Sequence, residues 1–157
     1  MSDELFVPED FTVPGGLTAG DFQLVPLGPQ HNESDYAAWT ASIDHIRATP
    51  GFAGSNWPHE MSLDDNLRDL ERHAQDFAGR RGFTYTVLSP GTADVIGCVY
   101  IYPPRGQDAE RQRGRHATVR SWVRADRAAL DPVLHDAVLA WLERDWPFDS
   151  IEYAPRT

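Results

Sequence analysis

His116, Thr118, Arg120 and Trp122 alternate along a strand-like run near the end of the chain, so one face of that strand would carry an imidazole, a hydroxyl, a guanidinium and an indole. His116 is the titratable member, and an imidazole held on a rigid element can accept or deliver a proton near neutral pH. Trp57 and His59 form a second candidate pair, in a loop where neither helical nor strand packing requires their side chains. Tyr100 and Tyr102 form a third, on alternate positions of the apolar run from Val95 to Tyr102. Other chemistries find no support. The six histidines show no ligand spacing among themselves or with a cysteine, so no metal site is predicted. Ser121 lacks the glycine-flanked turn of an activated serine nucleophile. Cys98, the single cysteine, sits in an apolar run, reads as a small buried hydrophobe and has no disulfide partner within the chain. All fourteen basic residues are arginine, which removes lysine-based Schiff-base chemistry.

A chain of 157 residues, 41% of them hydrophobic and five of them tryptophan, is long enough to bury one core without metals or disulfides. Its net charge of −10 disfavours nucleic acid and anionic membrane as partners, because both need cations clustered on one face. The four arginines between Arg105 and Arg115 read as a solvated loop. An acidic N-terminus, with no apolar run approaching about 18 residues, predicts a cytoplasmic protein.

The elements that must position the candidate residues follow from periodicity. Residues 1–20 read as an extended arm, because Pro8 and Pro14 forbid a regular helix, and its Phe6, Phe11 and Val13 predict that it lies in a groove. Residues 21–157 read as a single domain. Asp21 to Leu27 alternates as a first strand. Asn32 reads as the cap of one helix with the stripe Tyr36, Trp39, Ile43 and Ile46, stopped by Pro50 and Gly51. Ser62 caps a second helix with the stripe Leu63, Leu67, Leu70, Ala74 and Phe77. Residues 83–88 and 95–102 read as an antiparallel hairpin, in which Gly97 marks a bulge or a close backbone approach. A strand from Ala117 to Val123 follows. A helix with Asp131 as cap and Pro132 as first residue runs to Pro147, and a last strand covers Ser150 to Tyr153. Strands and helices in this order make an α/β fold with a mixed sheet.

In that order the chain resembles the GNAT superfamily of acyl-CoA-dependent N-acetyltransferases, especially its ribosomal-protein-acetylating branch, over roughly residues 21–155. The residues that carry the resemblance are Phe22 to Leu27, Asp94 to Ile101, and the pair Trp122 and Val123. The resemblance implies a GNAT-like α/β fold, a mixed and mostly antiparallel sheet flanked by helices. It implies acetyl-CoA as co-substrate and a small-molecule or peptide amine as acceptor. The pantetheine would lie in a V where Val119–Val123 parts from Ser150–Tyr153, with the thioester carbonyl held by backbone N–H groups at Trp122 and Val123. Trp57, His59, Tyr100 and Tyr102 would line the acceptor side, and His116 would take the proton of the attacking ammonium.

Two departures shape the functional expectation. The family's phosphate-binding pattern falls on Arg127 to Pro132, where Leu130 and Pro132 occupy positions usually held by glycine or alanine. Leu130 adds bulk, Pro132 removes a donor, and the Asp131 charge repels phosphate, so Arg124 and Arg127 are left as the candidate phosphate contacts. The chain also stops at Thr157, without the helix and hairpin that usually follow the last of these strands, which leaves a strand edge for the arm or a second copy and predicts a homodimer. The sequence therefore reads as an acetyltransferase weakened at its donor site. Its alternative is a non-catalytic, ligand-binding or partner-binding protein on the same fold.

Overall fold

A computed structural model of the chain describes residues 5–104 and 115–156. Of the arginine-rich segment from Arg105 to Arg115, residues 105–114 lie outside the described residues. Six strands, β1 (Leu17–Thr18), β2 (Gln23–Pro26), β3 (Phe83–Leu88), β4 (Val95–Tyr102), β5 (His116–Val123) and β6 (Ser150–Tyr153), form one sheet in chain order. Every neighbouring pair is antiparallel except β5 and β6, which are parallel. The crossover between those two strands is the helix α4 (Leu130–Asp145), and α1 (Asn32–Thr40), α2 (Ile43–Arg47) and α3 (Leu63–Ala78) fill the long connection from β2 to β3. The mixed, mostly antiparallel sheet flanked by helices is the predicted one.

Strand alternation sorts the core into two layers. Ala117, Val119 and Val123 of β5 face α4, where Leu134, Val138 and Trp141 complete one cluster. Trp122 faces the opposite way, joining Trp39, Ile46, Phe52 and Leu70 in a second cluster beneath α1 to α3. Between Val87 and Leu88 the β3–β4 register shifts by one extra residue on β4, which places the predicted bulge beside Gly97. The close approach is there as well: a Cβ on Gly97 would lie 2.4 Å from the Trp122 carbonyl oxygen.

The arm is bound to the α4 side. Val7 is buried, Phe6 packs on Phe83 and Phe148, and Phe11 packs on Trp146. Arg80 donates to the carbonyls of Pro8 (2.6 Å) and Phe11 (2.9 Å), and the Tyr85 hydroxyl donates to that of Pro14 (2.7 Å). The end of this segment is strand β1 (Leu17–Thr18), within the stretch expected to be wholly an extended arm. Leu17 pairs with Leu24, and just before β1 Gly16, at φ +152°, meets the Leu24 carbonyl so closely that no side chain would fit. The arm thus extends the sheet beyond β2, at the edge opposite β6.

Three local expectations give way to longer-range partners. The helix predicted to start after an Asn32 cap begins at Asn32 itself, and the Asn32 amide is spent on the Leu63 carbonyl (3.2 Å) and on Asn66 (2.8 Å). The stripe through Ile46 breaks at Ala41 and Ser42, because buried Ser42 leaves the helix to accept the Ala125 N–H at 2.9 Å. Asp131 is not the cap of α4, which starts one residue earlier without a side-chain cap, since its carboxylate accepts from Arg156 instead.

Candidate functional site

A cavity of about 600 Å³ lies on the α1–α3 side of the sheet. Its wall on α3 is polar because Asn66, Asp69, His73 and Asp76 recur at steps of three and four, which stacks them on one helical face. Asn66 is the hub of the inner end. Its oxygen accepts the Trp39 indole N–H at 3.0 Å, and its amide donates to Asn32 (2.8 Å) and to the Asp35 carboxylate (3.1 Å). Asp35 is nearly fully buried, and burial pushes its carboxyl up to about 6, the Asn66 hydrogen bond opposing the shift and Asp69 adding to it.

At the outer end, Tyr102 donates its hydroxyl proton to Asp76 at 2.9 Å. The Tyr102 oxygen is then an acceptor 2.9 Å from His73 Nδ1, which the network assigns as the protonated nitrogen, with Thr84 Oγ1 at 3.1 Å. Burial, reinforced by the Arg72 charge, pulls the His73 imidazole down to about 4, so it is neutral at pH 7. The floor is aromatic. Trp57 packs on Trp39, Phe52 and Trp122, and Phe52 packs on Tyr100. Arg120 from β5 lies over the Phe52 ring at 5.0 Å and the Tyr100 ring at 5.8 Å. Thr118 and Glu152, which are partners in the β5–β6 register, close the side toward the last strand.

Of the residues expected on the acceptor side, Trp57, Tyr100 and Tyr102 meet in this cavity. His59 does not, since it is exposed in the loop with its ring nitrogen 3.0 Å from the Glu60 carbonyl. His116 shares a strand face with Thr118 and Arg120 but sits at the far end of β5, hydrogen-bonded to Ser150 and outside the cavity lining. Cys98 is buried, with its thiol pushed well up by burial, which suits a packing residue. Asp35, Asn66, Asp69, His73 and Asp76 were missed as site residues. Their signal was the repeat of polar residues at helical spacing beside the apolar stripe.

Pairing of β5 with β6 takes up the whole of β6, from His116 and Ser150 to Val119 and Tyr153, so Arg120 to Val123 have no β6 partner, and the wedge beside them is where the V is expected. The wedge is filled by the chain's own side chains. Ser121 and Tyr153 join their hydroxyls across it at 2.5 Å. Arg156, with a side chain only 3% exposed, donates to the Ser121 carbonyl (2.9 Å) and to Asp131 at the start of α4 (2.8 Å). Trp122 and Val123 are buried, the Trp122 indole donating to the Tyr100 oxygen at 3.0 Å. Arg124 is held by Asp126 through two bonds of 2.7 and 3.0 Å, which raise the pKa of its guanidinium, and Arg127 is exposed.

This sheet, antiparallel but for its parallel final pair and with a helix crossing between those two strands, is an architecture already known. The chain has the GNAT acetyltransferase fold. Similar solved structures include RimL, a ribosomal L7/L12 alpha-N-protein acetyltransferase, at TM-score 0.62 and 9% identity over 83% of this chain and 66% of that one. Another is the Microcin C7 self-immunity acetyltransferase MccE in complex with acetyl-CoA and AMP, at TM-score 0.58 and 14% identity over 83% and 66%. A third is the ribosomal-protein-S5-alanine acetyltransferase from Vibrio fischeri, at TM-score 0.59 and 11% identity over 81% and 66%. The chain spans just under two thirds of the length of these GNAT structures. No protein-family model and no curated protein sequence matches it.

Proposed function

We propose that this GNAT-fold chain binds an organic amine, free or on a peptide, in the cavity between α1–α3 and the sheet. One observation carries the reading: four carboxylates, Asp35, Asp69, Asp76 and Glu152, share a cavity with the rings of Phe52, Trp57 and Tyr100 and with a neutral His73. Carboxylates over aromatic faces are the surroundings an ammonium favours. Asp35, Asp69 and Asp76 are buried or partly buried and hold it more strongly than exposed carboxylates such as Glu152 would.

Acetyl transfer from acetyl-CoA is the second reading. What favours it is the contact between cavity and wedge, because Thr118, Arg120 and Glu152 belong to β5 and β6, the two strands between which the family's V is expected. What opposes it is the wedge chemistry. The Ser121 carbonyl is taken by Arg156, and the start of α4 offers a carboxylate and a proline where a pyrophosphate needs N–H donors. These residues do not fit the pantetheine and pyrophosphate of acetyl-CoA, and binding without transfer is the reading we adopt. Titration calorimetry decides between the two. Saturable binding of an amine, with quenching of Trp57 fluorescence and no heat from acetyl-CoA up to millimolar concentration, is the expected result. Micromolar acetyl-CoA binding with acetylated product would replace binding by transfer, and failure of every amine tested would remove both readings. The outer edge of β6 carries no strand partner among the described residues. We propose it as the seam of a homodimer, to be checked by the concentration dependence of mass in sedimentation.

A further inference from the structure

We propose that Arg120 holds an anionic group of the ligand, so that the cavity takes an amino carboxylate rather than a simple amine. The inference rests on the amine-binding reading and narrows it. Apart from Glu152, the other charged groups of the cavity are already committed. Arg72 pairs with Asp69 at 3.0 Å, Asp76 accepts from Tyr102 and Arg81, and Asp35 accepts from Asn66. Arg120 has ring faces alone: among the described residues no carboxylate or carbonyl oxygen lies within bonding reach of its guanidinium. In a chain of net charge −10, a cation inside a cavity with no acid on it marks a place kept for an anion from outside.

The side chain is also fixed in position. Its stem lies against Gly51, where an added Cβ would sit 3.5 Å from Arg120 Cγ, and its head rests on Phe52 and Tyr100. A planar guanidinium held this way offers a fork of donors that matches a carboxylate, with little side-chain freedom left to lose on binding. Glu152 is the complementary group. It faces Thr118 across the β5–β6 pairing, two positions along β5 from Arg120, at the exposed rim of the cavity, and among the described residues it makes no ion pair. One unspent cation and one unspent carboxylate line the same cavity without reaching each other. A ligand carrying both charges satisfies both, whereas a plain amine would leave the guanidinium facing a like charge.

The test is calorimetry with matched probes: phenylalanine and phenethylamine, tryptophan and tryptamine, lysine and cadaverine. In at least one pair the amino acid should bind about 10-fold more tightly or better than its decarboxylated partner, the size of one charge-assisted hydrogen bond. Arg120→Gln should erase that advantage, weakening the amino acid while the amine, relieved of a like charge, binds as tightly or more tightly, and Arg120→Lys, which keeps the charge but loses the fork, should restore part of it. Thermal melts of each variant establish that the fold persists. If the amine binds as tightly as the amino acid in every pair, or if Arg120→Gln keeps the advantage, the assignment of Arg120 is wrong and amine binding stands. If no member of any pair binds, the amine-binding reading falls and this inference falls with it.

Discussion

The Arg156 guanidinium and the Asp131 carboxylate meet at 2.8 Å inside the wedge between β5 and β6, with side-chain exposures of 3% and 16%. Arg156 also bonds the carbonyls of Ala154 and Ser121, so one side chain ties the start of α4 to the diverging strand. Removing one partner of such a pair strands a buried charge. Arg156→Ala is expected to lose about 3 kcal/mol of stability, and the Arg156→Ala, Asp131→Ala double variant is expected to lose less than the two single variants together. Urea unfolding of the four proteins checks this, and strictly additive losses would show that the pair does not act as a unit.

Asp35 is the buried carboxylate of the cavity, with its pKa raised to about 6. A raised folded-state pKa favours the native protein while the group is protonated, and that contribution is lost as the pH rises from about 4 through 6. Asp35→Asn keeps an oxygen for the Asn66 amide and removes the charge. The variant is expected to be more stable than the parent by on the order of 2 kcal/mol at pH 7.5 and to show no gain at pH 4. Equal differences at both values would mean that Asp35 titrates normally.

Local sequence rules succeeded where an element's partners are close in the chain. The hairpin of β3 and β4, the Ser62 cap of α3 and the last strand were read correctly, because their determinants are alternation, turn residues and a hydroxyl three residues from the N–H it accepts. They failed where a polar side chain has a distant partner. Asn32 and Asp131 both look like caps, yet Asn66 and Arg156 claim them from 34 and 25 residues away. The cavity followed the same division. Aromatic Trp57, Tyr100 and Tyr102 stood out by type. The acids of α3 were hidden because the apolar stripe was taken as the whole inward face, while in the structure Leu63 is exposed and Asn66 is buried. A buried polar hub is legible only when both of its ends are known.

Gly97 offers a test of the bulge that shapes β4. A methyl there would lie 2.4 Å from the Trp122 carbonyl oxygen and 3.3 Å from Val123 Cα, both of them backbone, so relief would require β4 and β5 to separate. Gly97→Ala is expected to cost about 2 kcal/mol or more by overpacking. Gly20→Ala is the control, since nothing lies within 4 Å of its added methyl. Equal melting temperatures for the two variants would contradict the described packing.

His73 and Asp35 share the cavity and titrate over overlapping intervals with opposite sign. Burial lowers the His73 pKa to about 4, so the native protein holds fewer protons than the unfolded chain, and stability is lost as the pH falls from about 6.5 toward 4. Asp35, with its raised pKa, gains stability as the pH falls through nearly the same range. The parent protein is therefore expected to show a shallow dependence between pH 4 and 6.5, because the two contributions oppose each other. Each single variant should unmask the other group. Asp35→Asn leaves the His73 slope, and its stability should drop on acidification. His73→Gln leaves the Asp35 slope, and its stability should rise. Urea midpoints at half-unit steps measure both slopes. Slopes of the same sign in the two variants would show that one of the groups is not buried in the form described.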